Sequence, residues 1–94
     1  MTQIGRGYKG SPYIETSTTM HQVVPPKPEG WSLGYNFYKF SFVNNMDCTV
    51  IINNQSEIFL PITQGFNIDE NDAPIYSFVI KESGVTYNFV GAYR

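Results

Sequence analysis

The chain has 94 residues, eight acidic and six basic side chains, a net charge of −2, and a single cysteine and histidine, Cys48 and His21. An intramolecular disulfide and the His- and Cys-rich zinc sites are thereby excluded. A domain this small buries only about 60 % of its unfolded-chain surface, so association is the reinforcement left to it.

Composition divides the chain at Gly34. Residues 1–34 hold nine of the fourteen Gly and Pro residues, whereas residues 35–94 hold twelve of the fifteen aromatics. Gly and Pro at that density break helices and central strands, so residues 1–34 read as an extended N-terminal arm. The charge is +1 on the arm and −3 on the remainder. Neither part carries the basic stripe that nucleic-acid binding needs. The opening MTQIGRGYKG has no apolar signal core, and the apolar runs are too short to span a bilayer. These features point to a protein made in a cytoplasm, with no membrane partner.

Within the arm, residues 13–24 are rich in β-branched side chains and free of Gly and Pro. They are too polar to build a core and are expected to add as a strand to an existing sheet edge. Pro25, Pro26 and Pro28 predict a stiff polyproline spacer of about 3.1 Å per residue. Trp31 and Leu33 are expected to dock back on the domain.

From residue 35 onward, six short strands follow one another. Residues 35–43 place Tyr38, Phe40 and Phe42 on one face; residues 48–52 place Cys48, Val50 and Ile52 inward. Asn53 and Asn54 supply a turn, because Asn tolerates left-handed backbone. Residues 57–62 alternate Ile58, Leu60 and Ile62, with Pro61 marking a sheet edge. A short strand at residues 66–68 and an acidic loop from Asp69 to Pro74 come next. Residues 75–81 carry Tyr76, Phe78 and Ile80 in phase, and residues 85–90 carry Val85, Tyr87 and Phe89. The pattern predicts an all-β fold, a small antiparallel β-sandwich or barrel of about six strands preceded by the arm.

Motifs that carry chemistry are scarce. Gly5-Arg6-Gly7-Tyr8-Lys9-Gly10 spells G-x-G-x-x-G, but no strand precedes it and no helical pattern follows, so a dinucleotide site is not expected. The acidic loop offers oxygen donors, yet counting twelve residues from Asp69 reaches Ile80 where a calcium loop needs Glu. No metal or cofactor is expected. Cys48 lies mid-strand as a small buried hydrophobe, and acid, base and oxyanion groups do not converge, so the chain reads as non-enzymatic.

One resemblance adds to this reading. The pieces FSFVNNMDCTVIIN at residues 40–53, IFL at 58–60, GFNID at 65–69, APIYSFVIKESGV at 73–85 and YNFVGAY at 87–93 resemble small structural proteins of tailed bacteriophages. The resemblance covers a little over half the chain and leaves the arm outside. It implies a β-domain displayed on, or built into, a virion among many copies. The resulting expectation is a capsid decoration, connector or tail component anchored to other capsid or tail subunits, or to copies of itself, by the arm. Anchoring would fall to Arg6, Tyr8, Lys9, Tyr13, Ile14, Thr16, Thr18, Met20, Val23 and Trp31, where aromatic contacts dominate and cations support them. The alternative is a recognition module whose loops at 44–47 and 69–74 bind a host glycan or receptor.

Overall fold

The computed structural model describes residues 7–69 and 71–93, and among them there is no helix. Nine strands form two antiparallel sheets: β1 (Gly7–Gly10), β2 (Glu15–Thr16), β3 (His21–Gln22), β4 (Phe37–Asn44), β5 (Cys48–Ile52), β6 (Glu57–Leu60), β7 (Phe66–Ile68), β8 (Phe78–Ile80) and β9 (Thr86–Tyr93). One sheet runs β1-β9-β4-β7 with β2 also on β9; the other runs β3-β8-β5-β6. The fold is the small β-sandwich that the alternation predicts. All six strands expected after residue 35 are present, and three more come from the arm.

The registers reveal a simpler plan. Phe40 faces Ile68 in one sheet and Ile51 faces Glu57 in the other, so residues 40–52 and 57–68 form a single antiparallel pairing that continues around a bend. Likewise Phe42 faces Phe89 and Ile52 faces Phe78, which pairs residues 37–52 with 78–93. Gly7 faces Tyr93, Thr16 faces Thr86 and Gln22 faces Val79, which extends the same logic to residues 7–22. The molecule is therefore four long strands, each folded over once, so that one antiparallel ribbon becomes two stacked sheets.

At the bend the ladder is interrupted, and polar side chains take over the orphaned backbone groups. Asn44, fully buried, donates from Nδ2 to the carbonyls of Met46 (2.8 Å), Leu60 (3.1 Å) and Pro61 (2.9 Å), and its Oδ1 accepts from the Gly65 N–H (2.9 Å). Ser17 Oγ donates to the Glu82 carbonyl (2.7 Å) and accepts from the Val85 N–H (3.0 Å). Asp47 Oδ1 accepts from the Ile62 N–H and Glu82 Oε1 from the Thr49 N–H, at 2.7 and 2.8 Å. Gly65 is required here: its φ is +67°, and a Cβ would stand 2.5 Å from the Phe42 carbonyl oxygen.

Between the sheets lie Phe37, Phe40, Phe42, Val50, Leu60, Ile75, Phe78, Ile80, Val85, Tyr87 and Phe89. Phe78 is central, with ring centroids 4.6 Å from Phe42, 5.1 Å from Phe40 and 6.0 Å from Phe66. Close packing of such rings contributes beyond their buried area.

Several expected faces change. A register shift between Phe37 and Lys39 turns Phe37 inward and leaves Tyr38 half-buried, because a bulge adds one residue to the count. Ile58 shares the inward phase with Leu60 but is 39 % exposed, since β6 is an edge with no neighbour beyond it. Tyr76 points out and Ile75 in, because Ile75 and Phe37 exchange two backbone bonds of 2.8 Å across the open end of the sandwich. Leu33 is exposed, whereas Trp31 packs on the core as expected. The described part of the arm is extended, but residues 7–24 lie on this chain's own sheets rather than reaching away from them. Val23 and Val24 enter the core, so residue 34 does not mark an edge of the sandwich.

Candidate docking surface

Residues 7–24 form a strap along the outer side of β9 and β8. Backbone bonds secure it beyond the named strands: Ser11 N–H to the Phe89 carbonyl (2.9 Å), Ser17 N–H to Val85 (2.8 Å), Met20 N–H to Lys81 (3.1 Å) and Val23 N–H to Phe78 (2.8 Å). An open sheet edge needs such partners, and the β-branched, polar composition of residues 13–24 suits a half-exposed edge strand. The segment does not form one strand, as the pattern suggested. It splits into β2 and β3 on different sheets, turning the corner at Met20, whose φ is +53°.

Pairing alternates the side chains, and most of the nominated anchor residues fall on the outside. Tyr8, at 78 % exposure, stands opposite Ala92, and Lys9, also exposed, opposite Gly91. Tyr13, at 70 % exposure, and Ile14 occupy the connection between β1 and β2. Thr16, Thr18 and Met20 are exposed further along. Val23, at 4 % exposure, is spent on the core and offers nothing to a partner. Arg6 lies outside the described residues.

Trp31 belongs to a second feature. Its ring lies 5.0 Å from that of Tyr35 and 5.5 Å from that of Tyr93. Together with Pro25, Leu33, Asn36 and Tyr76, it lines a groove of about 800 Å³ at the open end of the sandwich. Sequence reasoning placed Trp31 against the domain but missed the groove, because Tyr76 joins it from 45 positions away. It also missed the lock on the strap: His21 Nε2 is 2.8 Å from the Tyr87 hydroxyl, and its Nδ1 is 3.2 Å from Thr18 Oγ1.

In the loops named for glycan recognition, the Asn44, Asp47, Asp69 and Asp72 side chains bond within the chain. Asn44 and Asp47 serve the bend, as described. In the acidic loop, Asp69 Oδ1 accepts from the Asn71 N–H (2.9 Å) and Asp72 Oδ2 from the Asp69 N–H (3.1 Å). Among the described residues, no three His, Cys, Asp or Glu side chains gather as a metal ion would require.

Three titratable groups, Cys48, Tyr87 and Glu82, are shifted by their surroundings. Burial, helped by the charges of Glu82 and Asp47, pushes the Cys48 thiol up to about 11, so at neutral pH it is not a thiolate nucleophile. Burial, with Glu15 adding to it, pushes the Tyr87 phenol up to about 12. Burial alone would raise Glu82; hydrogen bonds from Thr49 and from its own backbone, with the charge of Lys81, hold its carboxyl below the ordinary 4.5.

Comparison of the chain with protein-family models, curated proteins and solved structures gives no match.

Proposed function

We propose that this protein is a non-enzymatic virion accessory, a capsid decoration, connector or tail component, that docks on neighbouring structural subunits through its N-terminal strap. The observation that carries this reading is the division of labour along residues 7–24. Their backbone is fixed to β8 and β9, while Tyr8, Tyr13, Ile14 and Met20 are displayed outward. Large apolar and aromatic side chains held out from a backbone bonded to the sheets are pre-organised for docking, since less conformational freedom is lost on binding. The resemblance to small structural proteins of tailed phages supplies the setting.

The test is co-sedimentation with particles that lack this protein. Wild type is expected to pellet with them, and Tyr8→Ser combined with Tyr13→Ser to remain in the supernatant at unchanged thermal stability. Equal pelleting of both forms would move the interface off the strap.

A second reading, recognition of a host glycan, is favoured by the groove alone, where the Trp31 and Tyr76 rings line the wall with Asn36. Binding of the isolated protein to host envelope, lost in Trp31→Ala and Tyr76→Ala, would select it over the first.

A further inference from the structure

The strap lies on an edge that every copy of this chain presents, and it reaches that edge through a proline-rich connection. We propose that residues 7–24 exchange between copies, each strap lying on the β8–β9 edge of a second molecule. The proposal rests on the assembly reading above and names its first partner.

The strap and the edge are complementary along their whole length. The register runs from Gly7 opposite Tyr93 to Gln22 opposite Val79. Gln22 extends the ladder with its side chain, accepting from the Phe78 N–H (2.8 Å) and donating to Ser77 Oγ (2.9 Å). The strap's own Val24 N–H also reaches Gln22 Oε1, at 3.2 Å. The strap's other bonds also run to residues 78–93: Ser11 to Phe89, Ser17 to Glu82, Gly84 and Val85, Met20 to Lys81, and His21 to Tyr87. A second copy offers the same groups in the same register, so closed and exchanged forms make the same strap contacts. They then differ only in the path of the connection and in effective concentration.

The connection supplies a hinge between two anchored ends: Pro25, Pro26 and Pro28 stiffen its start and Gly30 has φ +89°, while Trp31 holds its far end against Tyr35 and Tyr93. To close, this path must turn from β3 in one sheet to β4 in the other across the open end of the sandwich. A polyproline start prefers to run straight, which carries the strap outward. Crowding of copies on a particle raises the concentration that drives exchange.

The experiment uses Thr16 and Thr86, which face each other in the ladder at a separation that suits a cross-strand disulfide. In a Cys48→Ala background, full-length Thr16→Cys and Thr86→Cys chains are unfolded, mixed, refolded at increasing concentration and oxidised. Exchange predicts a mixed disulfide dimer that rises with concentration toward about half of the chains, the share set by random pairing of two species. Each single variant refolded alone gives the background of chance cross-links. The double variant Thr16→Cys, Thr86→Cys reports the closed form as an internally bridged monomer. A mixture that stays monomeric at every concentration, while the double variant bridges internally, overturns the proposal. If particle binding persists in that case, exchange fails and the docking reading stands. A mixed dimer without particle binding has the opposite meaning: exchange stands and the docking reading fails.

Discussion

Asn44, fully buried, binds three carbonyls and one N–H where the second and third long strands bend. A buried polar group left without its partner costs about 1–3 kcal/mol. Asn44→Ala is therefore expected to lower the unfolding free energy by at least about 2 kcal/mol in a urea titration. Gly91 makes the opposite demand: a Cβ there would stand 2.5 Å from the Phe37 ring, which is fully buried and packed on Phe40 and Phe89. Gly91→Ala should cost about 1–3 kcal/mol through overpacking, and Phe78→Ala about 3–5 kcal/mol through a cavity. The raised groups fix the alkaline limit. Cys48 moves from 9.0 to about 11 and Tyr87 from 10.0 to about 12, so the folded state holds both protons more tightly than the unfolded chain. Their contribution is complete below pH 9 and is lost as pH rises through these values. The melting temperature is expected to fall between pH 9 and 12, and Tyr87→Phe to remove the upper part of that decline. Glu82 acts in the other direction, its contribution being lost as pH falls below the ordinary carboxyl range.

At the scale of elements, alternation made β4 to β9 legible, and in β4, β5, β8 and β9 most inward positions bury Phe, Val, Ile or Tyr. Asn53 and Asn54, with φ of +52° and +58°, form the turn that their left-handed tolerance predicted. Alternation could not reveal the bulge at Tyr38, because an inserted residue reverses the phase without changing the composition. Pro61 marked the edge at β6 correctly, whereas alternation alone put Ile58 inward and could not show that this edge leaves it open to solvent. The strap was half legible. Its polarity correctly required an outside edge to pair with, but that edge lies 57 to 72 positions away in the same chain, from Gln22 opposite Val79 to Glu15 opposite Tyr87. The exposure of Tyr8, Tyr13, Ile14 and Met20 agrees with a segment too polar and too rich in Gly and Pro to form its own core; the burial of Val23 was not legible, because it depends on the strap crossing to the second sheet. Removing residues 1–24 should expose the outer groups of β8 and β9 and delete Val23 and Val24 from the core. The expected result is a lower melting temperature with concentration-dependent association, measured by sedimentation velocity.

For the whole molecule, four long strands folded at one polar line account for both sheets, for the buried Ser17 and Asn44, and for the position of the groove. Among the described residues, packing, ladder bonds and the side-chain bonds at the bend hold the sandwich together, and chelators are expected to leave the melting curve unmoved. A calcium-dependent rise abolished by Asp72→Asn would instead reveal a native-state metal site, because ligand bound only by the folded form stabilises it. The functional reading depends on the strap being part of the sandwich, so that its outward side chains are held in place. Amide hydrogen exchange of the full-length protein, followed by NMR, tests this most directly. The account predicts that the Ser11, Ser17, Met20 and Val23 amides, which donate to Phe89, Val85, Lys81 and Phe78, are protected, with Ser17 and Val23 approaching the protection of Phe37 and Ile75. Exchange of all four at the rate of an unstructured peptide would contradict it.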